Sequence, residues 1–300
     1  MANLTAAINL LPNRYSRLES LNLFPVKPVR FRQILIEEKN GVLNLLPTLP
    51  VGSPGTVGRR DKRKMRSFVV PHIPHDDVVL PEEVQGLRAF GSETELETVA
   101  GVMARHLETM RNKHAITLEH LRMGALKGII LDADGSTLYN LYDEFGITPK
   151  TINFALATDM TNVRCLCSPE FFEKLIAHPK VEKAYENFQQ GAILRDDVRA
   201  GFTFGGIVFE EYRGQATDGN GATRRFIAAG EAHAFPVGTI DTFGTYVAPA
   251  DFNETVNTLG QPLYAKQDSR KFERGTDLHT QSNPLPMCHR PGVLVKLTMS

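Results

Sequence analysis

The chain has 300 residues, 42% of them hydrophobic, and its 34 basic and 34 acidic side chains give a formal charge of zero. That is enough apolar material for one large composite domain or two smaller ones, and the balance of charge excludes a nucleic-acid-binding polycation. No run approaches the ~18 apolar residues of a membrane span and the opening has no basic stretch ahead of an apolar one, so we expect a soluble protein made in the cytoplasm, away from any membrane. The three cysteines, Cys165, Cys167 and Cys288, lack disulfide-like spacing and fit a reducing compartment.

Residues 1–47 alternate short apolar clusters with prolines: Leu10, Leu11 and Pro12, then Leu21, Leu23, Phe24 and Pro25, then Val26, Pro28, Val29 and Phe31. No periodic face holds enough apolar residues to bury itself, so the segment reads as an arm lying along something else, with strands possible over 32–38 and 41–46. Residues 48–90 read as a long two-stranded excursion. Its flanks at 47–51 and 67–70 are strand-like, and Arg59, Arg60, Lys62, Arg63, Lys64 and Arg66 crowd its tip against a single acid, Asp61. His72, His75, Asp76 and Asp77 follow, but Pro71 and Pro74 set an extended chain and no ligand pair recurs at helical spacing. We expect no metal there.

Residues 91–128 read as one long spine helix, roughly 50 Å at about 1.5 Å per residue. Leu96, Val99, Met103, Leu107, Met110, His114, Leu118, Leu121 and Ala125 form one apolar stripe at steps of three and four. Ser92 with Glu95 makes a capping box, and Gly128 suits the left-handed end. His106, Arg111, Asn112 and Glu119, on the other faces, suggest a surface that is solvated or held by polar contacts to another chain. The stretch 128–146 then reads as a hairpin turning at Asp134 and Gly135. It also resembles the first motif of haloacid-dehalogenase-type phosphatases, with Asp132 as nucleophile and Asp134 as acid/base. Ser136 is inserted between the expected Gly and Thr, and no later segment supplies the remaining motifs.

The next 120 residues have α/β composition. Residues 162–167 read as a strand, and Ser168 caps a helix opened by Pro169. A second helical piece follows Pro179, residues 201–212 read as one strand with glycines, and a turn at 218–221 leads to a strand over 225–229. Asp251 with Glu254 reads as the cap of a short helix. Residues 293–298 alternate like a half-buried strand that would close the sheet under the spine.

The C-terminal third carries a resemblance. Ala250-Asp251, Asn257-Thr258-Leu259-Gly260, Tyr264-Ala265-Lys266 and Asn283-Pro284-Leu285 together are similar to the signature of the phage major capsid protein E family, the tailed-phage head proteins of the lambda type. The order of segments agrees over nearly the whole chain. The resemblance implies an α+β, HK97-like capsid fold: N-terminal arm 1–47, extended loop 48–90, peripheral domain 91–147 with spine helix and hairpin, axial domain 148–270, and a tail 271–300 returning to the peripheral domain. It also implies a structural protein of the virion, without catalysis, cofactor or metal, that self-assembles into pentamers and hexamers of an icosahedral shell around double-stranded DNA. Scaffold, portal and decoration proteins are the further partners it implies. The basic loop tip is the expected subunit interface. The phosphatase, and an encapsulin-type nanocompartment shell of the same fold, are the alternative readings.

Overall fold

A computed structural model describes residues 2–3, 17–39, 63–85, 98–153, 163–188, 201–218 and 220–299. The spine is the helix Val99–Lys127. Thr98 caps its start, its side chain accepting from the Gly101 N–H, and Gly128 ends it at φ 82°. At ~1.5 Å per residue these 29 residues span about 43 Å. The capping box at Ser92 lies outside the described residues, as does Leu96.

The stripe is narrow only in the first half of the helix. There Val102, Leu107 and Met110 pack with Val79, Leu263, Ala265 and Leu278. These come from an antiparallel sheet ordered Ala2–Asn3, Tyr264–Ser269, Thr276–Ser282 and Ile73–Val79. From Leu121 to Leu126 every side of the helix is buried. The cover there is the hairpin Ile129–Leu131/Thr137–Asn140, the strand Pro284–Cys288 and the segment around Leu18. Val99, expected in the stripe, is 52% exposed, and Met103 and Leu118 are half-buried.

Residues 17–39 lie along the core of their own chain. Leu18, Leu23 and Phe24 are buried in the same core as Leu121, Met123 and Leu126. Val26–Pro28 runs parallel to Phe243–Val247, which pairs antiparallel with Pro284–Cys288. The excursion also starts earlier than its composition suggests: Gln33–Lys39 pairs antiparallel with Arg63–Val69, from Gln33↔Val69 to Lys39↔Arg63. Residues 41–51 lie outside the described residues. Ile34 and Ile36 supply the inner face of this stem and Leu35 between them turns outward, while the partner strand lies 24 to 36 residues away and leaves no local mark in the sequence.

A second layer is a six-stranded mixed sheet ordered Phe202–Phe204, Ile207–Glu211, Val163–Cys167, Glu231–Pro236, Val295–Thr298 and Lys150–Asn153. The helix Pro169–Ile176, capped by Ser168, and the helix Pro179–Phe188 cover it, burying Phe171, Phe172, Leu175 and Val181 against Cys165, Cys167, Phe209 and Leu297. Four expectations change here. Residues 202–211 are a hairpin, because Gly205 and Gly206 both take positive φ, 59° and 80°, as a two-residue turn requires. The strand after the 218–221 turn is Thr223–Arg225, paired with Gln215–Thr217. The final strand does not lie under the spine but between Glu231–Pro236 and Lys150–Asn153. Asp251 caps nothing; the short helix Asn253–Thr255 follows Phe252 without a side-chain cap.

Candidate assembly surface

The paired strands of the stem separate two faces. On the inner face Ile34 and Phe68 are buried. The Phe68 ring meets Tyr139 edge-on at 5.4 Å and stacks on Phe145 at 6.2 Å. The Tyr139 hydroxyl accepts from the Val69 N–H at 2.8 Å and donates to the Val69 carbonyl at 2.9 Å, so one phenol satisfies both backbone groups at the root of the stem. The outer face carries Leu35, Met65 and Val69, each more than half exposed, with a Gln33–Ser67 side-chain hydrogen bond of 2.6 Å between them. Phe31 is exposed beside it. A two-stranded ribbon is marginal on its own, and this one is covered on a single side.

Of the residues expected at the interface, Arg59, Arg60 and Lys62 lie outside the described residues. Arg63 and Lys64 belong to the stem strand Arg63–Val69. Arg66 is not at the tip: its guanidinium lies 5.1 Å over the Phe145 ring, on the inner face.

Glu119 corrects the expectation of a solvated helix face. It is buried, and Oε1 accepts from the Leu18 N–H at 3.0 Å and from the Tyr212 hydroxyl at 3.2 Å. Burial pushes its carboxyl above the ordinary range, while these hydrogen bonds and Arg122 oppose the shift. Close by, Arg17 makes a two-pronged pair with Glu210 at 2.5 and 2.8 Å, and Arg164 reaches the same carboxylate at 3.2 Å. These groups tie the base of the N-terminal segment to the spine and to the six-stranded sheet. The sequence signal was available: Glu119 and Arg122 stand one turn apart, beside the fully buried run that ends the helix.

The histidines and acids near residue 75 scatter over both faces of one strand. Asp77 faces His106 at 2.8 Å, Asp76 pairs with His279, and His72 lies 3.0 Å from the Asn283 side-chain oxygen. Among the described residues no group of three such side chains converges as a metal would need. Asp132 and Asp134 sit on an exposed antiparallel hairpin turn. Asp132 accepts from the Ala133 N–H and Asp134 from the Ser136 N–H, so both carboxylates serve the turn. A phosphatase nucleophile would need the end of a parallel strand, and this hairpin has none.

The family model for phage major capsid protein E matches residues 1–163 and 155–299. The chain is 35% identical to the major capsid protein of Pseudomonas phage KPP10, with 98% of this chain and 95% of that one covered. It is 28% identical to the major capsid protein of Salmonella phage Felix O1, with the same coverage. Among solved structures it is similar to a putative capsid protein of a prophage of E. coli CFT073 (TM-score 0.58, 14% identity, all of both chains). It is also similar to the capsid of cyanophage P-SCSP1u (0.56, 12%, 97% and 90%) and to the mature capsid of bacteriophage PhiM1 (0.54, 13%, 97% and 88%). The spine, the stem rooted beside it and the two layers of sheet are thus an HK97-like capsid fold, and the chain belongs to the phage major capsid protein E family, whose members are structural proteins of the virion shell and not enzymes.

Proposed function

We propose that copies of this chain assemble as pentamers and hexamers into a closed icosahedral shell around double-stranded DNA, each copy laying its extended loop across a neighbour. The observation that carries this reading is the apolar outer face of the stem. Leu35, Met65 and Val69 are fixed in place by the aromatic lock beneath them, yet a single copy covers none of them. A neighbouring copy supplies the missing side. We assign residues 40–62 to the loop proper and the spine with its four-stranded sheet to the peripheral unit. The six-stranded sheet, including the last strand, forms the axial unit. Synthesis in the host cytoplasm precedes assembly, and scaffold, portal and decoration proteins are the further partners we propose.

Electron microscopy and sedimentation of the purified protein test the reading. Closed shells are expected from the wild type. Leu35→Asp with Met65→Asp keeps the inner face intact and should leave folded, unassembled protein. A wild type that stays monomeric at every concentration and salt overturns the proposal.

A further inference from the structure

One face of the spine is roofed by the 129–140 hairpin and by the ribbon of Gln215–Thr217 and Thr223–Arg225. Arg224 clasps the two roofs together: its Nε donates to Asp218 at 3.0 Å and its Nη2 donates to the Asp134 carbonyl at 2.6 Å. Under the clasp lies a chamber of about 500 Å³, walled by Lys113, Ile116 and Thr117 of the spine and by Thr217 and Thr223 of the ribbon. That is the size of small-molecule sites. The rings of His120 and Phe226, 5.3 Å apart, border both this chamber and a second one of about 90 Å³, which reaches Lys127 in the last turn of the spine.

The two chambers differ in chemistry. The smaller is lined by three cations, Lys127, Arg224 and Arg225, and by no acid. Arg225 is taken up by Glu170 at 2.6 Å and Arg224 by Asp218, but Lys127 donates only to the Phe226 carbonyl, at 3.1 Å, and has no ion-pair partner among the described residues. Burial lowers its pKa, with Glu231 opposing the shift and Lys296 adding to it. A half-buried ammonium without a counter-charge is costly, and an anion beside it removes the cost. The chamber has room for about three waters, the bulk of a phosphate group. The larger chamber offers an aromatic wall in Phe226 and His120 and the hydroxyls of Thr217 and Thr223, which face each other across the ribbon. The one acid in its lining, Asp218, is already consumed by the Asn220 and Ala222 N–H groups and by Arg224. A small anionic end joined to a wide end with a ring to stack and polar edges to satisfy is the outline of a nucleotide.

We propose that this cleft binds a nucleotide, the phosphate in the smaller chamber against Lys127 and the base in the larger one against Phe226 and His120. One copy of the chain supplies the whole site, so the inference stands apart from the shell reading above. Calorimetric titration of the purified full chain with adenosine monophosphate, with adenosine and with inorganic phosphate tests it. The monophosphate should bind at least tenfold more tightly than either fragment, because each fragment fills one chamber. Lys127→Met keeps the length of the side chain and removes the uncompensated charge. It should melt at or above the wild-type temperature, weaken the monophosphate about tenfold and leave adenosine unchanged. Ala133→Trp, on the exposed hairpin turn at the rim of the larger chamber, should leave melting unchanged and abolish binding by filling the space, and it decides the matter alone if the lysine variant folds poorly. Competition by an end-phosphorylated single-stranded oligonucleotide distinguishes the two sources of this chemistry: displacement of the monophosphate assigns the site to the end of a nucleic-acid strand, and no displacement assigns it to the free nucleotide. A monophosphate that fails to bind at millimolar concentration, or whose binding survives either substitution unchanged, overturns the proposal.

Discussion

His114 shows how a single residue in the spine was half legible. Its place in the stripe follows from spacing, but its surroundings come from the sheet that packs on it. The Thr280 hydroxyl donates to the His75 carbonyl and so accepts from His114 Nε2–H at 3.0 Å, which leaves Nδ1 to accept from the Ser282 hydroxyl at 2.8 Å. This is the hydrogen-bond set of the neutral ring. Burial, with smaller contributions from His75 and His279, lowers its pKa from 6.5 to about 4. A depressed value means that the unfolded chain binds the proton first. The stabilising contribution is therefore present above pH 6.5 and is lost as pH falls toward 4, by roughly 3 kcal/mol in all. Burial depresses His75, His120, His233 and His289 in the same direction, so the whole protein should lose stability over this window. His114→Gln keeps a donor and an acceptor but cannot titrate. Its melting temperature should fall less steeply than that of wild type between pH 6.5 and 4; parallel curves would show that the ring ionises without cost.

At the scale of elements, Gly124 sets propensity against packing. Glycine inside a helix costs about 1 kcal/mol relative to alanine, so propensity alone predicts that Gly124→Ala stabilises the spine. The hairpin crosses the helix here, and a Cβ would meet the Ile129 carbonyl oxygen and the Ile130 Cα at 2.9 Å, both backbone atoms that cannot rotate away. We therefore expect Gly124→Ala to destabilise by about 1–3 kcal/mol, measured by denaturant unfolding. A gain would mean that the hairpin is free to shift. The same contrast between local and distant causes explains what the sequence disclosed. The Ser168–Pro169 helix start, the left-handed Gly128 and the Asp134-Gly135 turn are written in adjacent residues, and each appears where expected. The partner of Arg63–Val69, the burial of Leu18 and Phe24, and the place of Val295–Thr298 depend on contacts 24 or more residues away. Aromatic alternation through Gly205-Gly206 hid a hairpin inside what reads as one strand. At the assembly surface the basic cluster was plain, whereas the apolar face of the stem emerges only once the pairing sets Leu35, Met65 and Val69 on one side.

For the whole molecule, a formal charge of zero conceals a local excess: residues 59–66 carry six positive charges against Asp61. Arg66 is already engaged over Phe145, which leaves five near the loop tip to repel one another unless a partner compensates them. Of the acids that the sequence offers on a neighbouring copy, Asp76 pairs with His279, Asp77 and Glu83 pair with His106, and Glu82 is a single exposed charge. Glu93, Glu95 and Glu97, just ahead of the spine helix, are the remaining concentrated acidic run, and we take them as the facing group. Each exposed pair contributes only ~0.2–1 kcal/mol and is screened within about 10 Å at 0.1 M salt, so the loop is suited to guiding association more than to holding it. Repetition around every ring of subunits multiplies the effect. Replacing Arg60, Arg63 and Lys64 with Glu should leave the melting temperature unchanged and slow assembly several-fold at low salt, the deficit narrowing as salt rises. Restoration by Glu93, Glu95 and Glu97→Lys in the same chain would identify the partner. Assembly of the Glu-substituted loop at the wild-type rate, followed by light scattering across the whole salt series, would show that the cluster is solvated and steers nothing.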